Sequence, residues 1–147
     1  MEFLLYLSPA GKEIYNMISR KVRVVENTPI CRKYDIYGWY NSLENKMTMC
    51  TGKIKSTEYN SASIRKYVNE TMFHESTHIA QSCKSNDGYT REFGISISQM
   101  PLTQRRKEDI KSAVAINGSK VYRVEHEAFW MEDKPDKVKY VLQKYCF

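Results

Sequence analysis

The longest regular pattern of apolar positions in the chain runs from Ser61 to Lys84. Small or apolar residues recur there at steps of three or four, which is the spacing of one face of an α-helix. These residues are Ile64, Val68, Met72, Ser76, Ile79 and Cys83. The segment contains no proline or glycine, and the polar residues 85–88 end the pattern. The sequence therefore predicts a long amphipathic helix over residues 61–84.

Three shorter stretches before this helix have the composition of β-strands. Lys21–Val25 is basic and valine-rich, Asp35–Tyr40 is aromatic, and Lys46–Cys50 alternates around two methionines. The polar residues Asn41–Asn45 predict a hairpin loop between the last two stretches. We therefore expect a small sheet of about three strands ahead of the long helix.

Further helices are predicted on both sides of these elements. Ser8-Pro9 combines a capping residue with a first-turn proline and predicts an N-terminal helix. After the long helix, the pattern predicts helices over Pro101–Ala115 and Ser119–Asp133, and a last one that begins at Pro135. The order of helix, small sheet, long helix and further helices indicates the α+β class.

The bulk composition is that of one globular domain. The chain has 147 residues, 41% hydrophobic and 27% charged, so we expect a single domain over residues 1–147. No apolar run approaches the roughly 18 residues that span a bilayer. The N-terminus carries Glu2 where a signal peptide would be basic. We therefore expect no membrane segment and a cytoplasmic location.

The cysteines suggest neither a disulfide framework nor a structural zinc knuckle. Cys31, Cys50, Cys83 and Cys146 are widely spaced, and no two of them form a CxxC pair. For a chain without an export signal, the sequence predicts reduced and partly buried thiols.

The predicted long helix carries His74-Glu75-Ser76-Thr77-His78. The two histidines are four residues apart, so they project from one face and can bind one tetrahedral zinc ion. Glu75 is rotated by about 100° from His74 and can reach a metal-bound water without being a ligand. The pattern therefore indicates His74 and His78 as zinc ligands and Glu75 as a general base.

A catalytic zinc ion usually has three protein ligands and a water. The remaining histidine of the chain, His126, lies in the predicted helix 119–133 between two glutamates. A ligand helix must approach the first helix closely, so the residue one turn after the ligand should be small. Ala128 follows Glu125 at that distance, whereas bulky Trp130 follows Glu127. This comparison favours Glu125 as third ligand and leaves Glu127 and then His126 as alternatives.

The motif at residues 74–78, followed by Glu125-His126-Glu127-Ala128, resembles the zincin metallopeptidases of the glutamate-ligand branch, the gluzincins. The resemblance implies a zincin-like α+β fold: a small, mostly antiparallel sheet packed against the motif helix, with additional C-terminal helices. It also implies one catalytic Zn²⁺, bound by His74, His78 and Glu125, with Glu75 as general base. The metzincin pattern fits badly, because it requires glycine at Gln81 and histidine at Lys84.

Two features depart from the gluzincin pattern. Many members have an acidic residue four positions after the glutamate ligand, where this chain has Phe129, which cannot orient a histidine. The gap between the two motifs is also long and leaves the predicted helix 101–115 without a role.

The resemblance implies a zinc-dependent peptidase acting on a limited set of protein or peptide substrates. Zincins hold the substrate as an extended strand along a sheet edge, here a strand ending at Tyr40 or Cys50. Tyr89, Tyr122 and Arg123 are candidates for stabilising the oxyanion. The stretch from residue 86 to 102 could fold over the site.

Two other functions remain open at this point. A zincin-fold module with a structural metal or none could bind protein or nucleic acid, and a non-peptide hydrolase could use the same chemistry. The formal charge of +6 fits nucleic acid, but basic residues are spread along the chain. The nearest cluster, Arg105-Arg106-Lys107, is followed at once by Glu108 and Asp109, which indicates an ordinary solvated basic surface.

Overall fold

The computed structural model describes residues 1–147. Its α-helices are α1 (Pro9–Ile18), α2 (Ile30–Lys33), α3 (Thr51–Thr57), α4 (Ser61–Ser85), α5 (Gln104–Asn117), α6 (Tyr122–Met131) and α7 (Pro135–Tyr145). Short 3₁₀ helices form at Glu2–Tyr6, Ile97–Gln99 and Ser119–Val121. The five predicted helices are confirmed as α1 and α4 to α7, whereas the short helices α2 and α3 were not predicted. No helix combines the length and the apolar composition that crossing a membrane requires.

The three predicted strands form one sheet. They are β1 (Arg23–Glu26), β2 (Gly38–Asn41) and β3 (Lys46–Met49), in the order β1-β3-β2. The expected hairpin makes β2 and β3 antiparallel, but β1 pairs with β3 in parallel. The expectation of a mostly antiparallel sheet is therefore wrong, and the sheet is mixed. The reason is that the chain passes from β1 through α2 to the far edge, so that β3 returns between the other two strands.

Helix α4 passes through the middle of the fold. The Asn60 side chain caps its first turn by accepting a hydrogen bond from the Ser63 amide. The helix ends at Ser85, and the capping residue after it, Asn86, adopts left-handed backbone angles. Every residue from Glu70 to Gln81 is buried, because α1, α6, α7 and the sheet pack around the helix. A segment enclosed in this way is a rigid support for a functional site.

Strand β2 lies unusually close to α4 at Gly38. A Cβ atom at this position would come 2.5 Å from Thr71 Cγ2 and 3.2 Å from Glu75 Cγ. A side chain there would push the strand away from the helix. The glycine therefore allows the edge of the sheet to lie directly beside the His74–His78 segment.

The expectation of reduced thiols is wrong, because the structure contains two disulfides. Cys31 is bonded to Cys50, and Cys83 at the end of α4 is bonded to Cys146 after α7. The paired Cα atoms are 5.6 and 5.3 Å apart, although the partners are 19 and 63 residues apart in sequence. Sequence spacing did not reveal these pairs, since the folding of the chain alone brings the partners together.

We expect the longer-range disulfide to contribute strongly to stability. Replacing Cys83 and Cys146 together with serine should lower the free energy of unfolding by about 2–4 kcal/mol, because the unfolded chain then gains conformational freedom. Chemical denaturation of the double variant and of the wild-type protein, under conditions that keep disulfides oxidised, measures this loss. The matched control is the Cys31/Cys50 double variant, whose shorter loop should cost somewhat less. Titration of four free thiols in the folded wild-type protein would contradict the prediction.

Candidate metal centre

The structure brings the three predicted ligands together. His74 and His78 extend from α4 towards α6, which carries Glu125. The Nε2 atom of His74 lies 3.1 Å from Glu125 Oε2, and that of His78 lies 3.0 Å from Oε1. One potential ligand atom from each residue falls within 4.8 Å of the others. The three side chains are at most 13% exposed, so the cluster is largely shielded from water.

The outer nitrogen of each imidazole contacts an acceptor. His74 Nδ1 lies 3.0 Å from Glu132 Oε1, and His78 Nδ1 lies 2.8 Å from Gln81 Oε1. The Gln81 amide is oriented by its own donor, Nε2, which bonds to Glu127 and to the Val124 carbonyl. Both acceptors therefore require a proton on Nδ1 of the histidine. The imidazole tautomer is fixed in the way that metal-binding histidines require.

This tautomer leaves a mismatch that a cation resolves. When Nδ1 carries the proton, a neutral imidazole presents a lone pair at Nε2. The lone pairs of His74 and His78 then face the ionised carboxylate of Glu125 without a proton between them. A metal ion bound by the two nitrogens and one oxygen removes the repulsion, and His₂Glu is a donor set of catalytic zinc sites. The residues present therefore fit a zinc ion.

The pKa shifts have the same cause. Burial works to lower the pKa of His74, but the hydrogen bonds to Glu125 and Glu132 outweigh it and raise that pKa well above its usual range. For His78, burial also works to lower the pKa, but the charge of Glu125, its hydrogen bond and the charge of Glu75 together raise that pKa above its ordinary value. Burial raises the pKa of Glu125, yet the two imidazoles bring it below its ordinary value. The cluster thus favours positive charge, whether a proton or a metal ion carries it.

Glu75 lies beside this cluster and is not part of it. Its buried side chain lines the same cavity as His74 and His78. Burial raises the pKa of Glu75, and the nearby imidazoles only partly offset this effect. A carboxylate with a raised pKa is suited to accept a proton near neutral pH.

Glu132 has a function at the site that the sequence did not reveal. Its carboxylate accepts from His74 Nδ1, a contact that Phe129 cannot make. Phe129 instead packs edge-on against the His74 ring, with 4.4 Å between the ring centroids. Glu125 and Glu132 stand seven residues apart, two turns along one face of the predicted helix. That spacing was the available signal.

Helix α5, which had no predicted role, supports Glu132. Arg106 donates from Nε to Glu132 at 2.9 Å and from Nη2 to Glu70 at 2.9 Å. Arg105 donates to the same Glu70 oxygen at 3.1 Å. Because an arginine held by two carboxylates has little freedom, the network fixes the Glu132 side chain behind His74.

The two alternative ligands serve other purposes. Glu127 accepts hydrogen bonds from the backbone amides of residues 93–95, at 2.7, 3.0 and 3.2 Å, and from Gln81. It therefore attaches the loop before α5 to α6. His126 Nε2 contacts the Met100 carbonyl oxygen at 2.8 Å. Neither side chain belongs to the group of possible ligand atoms around the His74–His78 pair.

A cavity of about 890 Å³ opens over the cluster. Its walls come from β2, α4, α5 and α6, and aromatic side chains are frequent: Tyr37, Trp39, Tyr40, Tyr67, Tyr89 and Phe129. Of the three oxyanion candidates, Tyr89 lines the cavity, whereas Tyr122 and Arg123 do not. Residues 89–91, from the stretch expected to cover the site, form part of the rim.

The Glu132 carboxylate should matter for metal affinity. Replacing it with glutamine removes the charge that orients His74, and loss of such an outer partner weakens metal binding by about 10–100-fold. Competition for zinc with a chelating dye measures the change. The control is Asp133→Asn, since Asp133 pairs with Arg106 at 3.4 Å but is partly exposed and is the neighbour of Glu132. Equal losses in the two variants would show that Glu132 acts through charge alone.

Comparison with known families places the chain but gives no activity. A family model described as a domain of unknown function, DUF8637, matches residues 3–147, and the chain belongs to this family. No curated protein and no solved structure matches it.

Proposed function

We propose that this DUF8637 protein is a zinc-dependent peptidase with a zincin-like fold. The observation that carries the proposal is the convergence of two imidazole lone pairs and one carboxylate, with the outer nitrogen of each imidazole held by an acceptor. Structural zinc sites usually have four protein ligands, whereas catalytic sites have three and leave one position open. Three protein ligands beside a cavity therefore favour catalysis.

The residues His74, His78 and Glu125 would hold the zinc ion. When bound, zinc supplies Lewis-acid chemistry that makes a water nucleophilic at neutral pH and polarises a carbonyl group. Glu75 accepts the proton of the attacking water and donates it to the leaving amine. Glu132 and Gln81 keep the two imidazoles in the tautomer that leaves Nε2 available.

The position of β2 favours a peptide over other acyl substrates. Strand β2 is one of the two edge strands of the sheet, and its residues Gly38, Trp39 and Tyr40 line the cavity. Its outer edge offers backbone donors and acceptors to which an extended peptide can add as a further strand. Of the two strands expected for this purpose, β3 is central and paired on both sides. The substrate edge is therefore the strand that ends near Tyr40.

The cytoplasmic location stays a prediction, and the disulfides weigh against it. Disulfides persist in oxidising compartments and are rare where thioredoxin and glutathione reduce them. Two disulfides in one chain, Cys31–Cys50 and Cys83–Cys146, are therefore easier to reconcile with an oxidising setting.

A peptide-library assay on the purified chain tests the proposal. We expect cleavage that stops when a chelator removes the metal and returns when zinc is added. Cleavage that persists in the chelator would contradict a zinc mechanism. If the chain binds zinc and peptides but cleaves none of them, the alternative of an inactive binding module gains support.

A further inference from the structure

The charges of the chain are unevenly divided between the cavity and the remaining surface. Seven of the 17 acidic side chains line the cavity, but only three of the 23 basic ones do. The two charges of a zinc ion would leave an excess of negative charge there. A cavity lined by one sign of charge attracts groups of the opposite sign. The cavity of this basic protein is therefore suited to a cationic group.

Most of the acidic side chains in the cavity already have partners within the protein. Glu70 and Glu132 bind arginines of α5, and Glu58 accepts a hydrogen bond from the Tyr37 hydroxyl. Glu125 belongs to the candidate metal centre. The remaining members are Glu75, whose role as a base is proposed above, Asp35, which is fully exposed at the rim near Lys53, and Asp109.

Asp109 differs from the others because it is half-buried and has no partner. It lies in α5, one turn after Arg105, whose guanidinium is directed to Glu70 instead. No cation lies within salt-bridge distance of Asp109, and no hydrogen bond reaches its side chain. Burial raises its pKa, an effect that the charge of Arg105 only partly offsets. A carboxylate in this situation is stabilised when a ligand brings a positive charge to it.

The cavity that Asp109 lines also has apolar walls, which suit the stem of a long basic side chain. Tyr67 and Phe129 line the same cavity, as do Ala113 and Ile116 one and two turns further along α5. The methylene stem of lysine or arginine packs on such apolar surface while its charged end reaches a polar group.

We infer that Asp109 is a specificity residue that selects peptides with a lysine or arginine side chain in this cavity. The inference rests on the proposed peptidase function, since the substrate of that function would occupy the same space. It names the class of substrate, a basic peptide, which the zinc chemistry by itself does not determine. Asp109 contacts the substrate side chain and takes no part in bond cleavage.

Peptide binding to the zinc-loaded Glu75→Gln chain, measured by calorimetry, tests the inference without relying on cleavage. The probes are blocked peptides, uncharged except for one lysine whose position is varied, and the same peptides with that lysine acetylated. At one position, the lysine peptide should bind about tenfold more tightly than its acetylated partner. When the Glu75→Gln chain also carries Asp109→Asn, the lysine peptide and its acetylated partner should bind with equal affinity. Adding Glu108→Gln instead, which removes the same charge from the exposed side of α5, should preserve the difference in affinity.

Several results would overturn the inference. These are equal binding of the lysine and acetyl-lysine peptides at every position, a ratio that survives Asp109→Asn, and absence of peptide binding. The peptidase proposal and the role of Asp109 are contradicted by different results. If the wild-type chain cleaves no peptide but the ratio depends on Asp109, the cavity selects basic peptides without hydrolysing them. If it cleaves acetylated and unmodified peptides equally, the peptidase proposal stands and the role of Asp109 is wrong.

Discussion

Replacing Glu75 with glutamine should abolish peptide hydrolysis while the chain keeps its zinc ion and its fold. The amide has nearly the shape of the carboxylate but cannot accept the proton of the attacking water. Loss of general-base catalysis costs about 10²–10⁴-fold in rate. The rate constant under saturating peptide, with zinc content measured on the same sample, provides the test.

The stability of this variant distinguishes a catalytic role from a structural one. Burial raises the pKa of Glu75, so the folded state binds its proton more tightly than the unfolded state does. A raised pKa in an acid means that stability falls as pH rises from the unfolded pKa through the folded one. At neutral pH the ionised carboxylate therefore destabilises the metal-free fold. Glu75→Gln should unfold at the same denaturant concentration as wild type or a higher one. Wild-type activity, or lost activity with lower stability, would contradict the assigned role.

The second large effect concerns the two glutamates of α6. Glu125→Ala should release zinc during dialysis, because it removes a ligand and leaves only the two histidines. The loss of affinity should exceed the approximately 10–100-fold that loss of an outer partner costs. Metal analysis of the dialysed variant measures it.

Glu127→Ala is the matched control, since it removes the same side chain two residues away. We expect this variant to retain zinc but to lose about 2–3 kcal/mol of stability, because backbone amides of residues 93–95 and the Gln81 amide lose their acceptor. If zinc is lost from Glu127→Ala and kept by Glu125→Ala, the two roles are exchanged.

The predicted elements that proved right depend on local sequence. The three- and four-residue spacing from Ile64 to Cys83 is a property of one helix, so α4 could be located to within a residue at each end. The spacing of His74 and His78 is local in the same sense. The choice of Glu125 used the small size of Ala128, which is fully buried in the structure.

The features that were missed depend on contacts between distant parts of the chain. Glu132 lies on the same helical face as Glu125, but its contact with His74 joins residues 58 positions apart. Gln81 was considered only as a missing metzincin glycine, whereas it orients His78. Arg106 was counted as part of a surface cluster. Its bond to Glu132 depends on how α5 packs against α6, which the sequence pattern does not encode.

The sheet and the disulfides show the same limit. The alternation around Met47 identified β3 as a strand, but its parallel pairing with β1 depends on the path of the chain through α2. The pairing of Cys83 with Cys146 requires α7 to pack along α4. In both cases the residues carry the correct local preference, and the topology determines the partner.

Zinc content of the purified wild-type chain beside its His78→Ala variant tests the central claim most directly. After both are loaded with zinc and dialysed, wild type should retain a single ion per chain and His78→Ala none, with the same circular dichroism spectrum for both. A wild-type chain that retains no zinc, or a variant that retains as much as wild type, would contradict the metal centre and the hydrolase built on it.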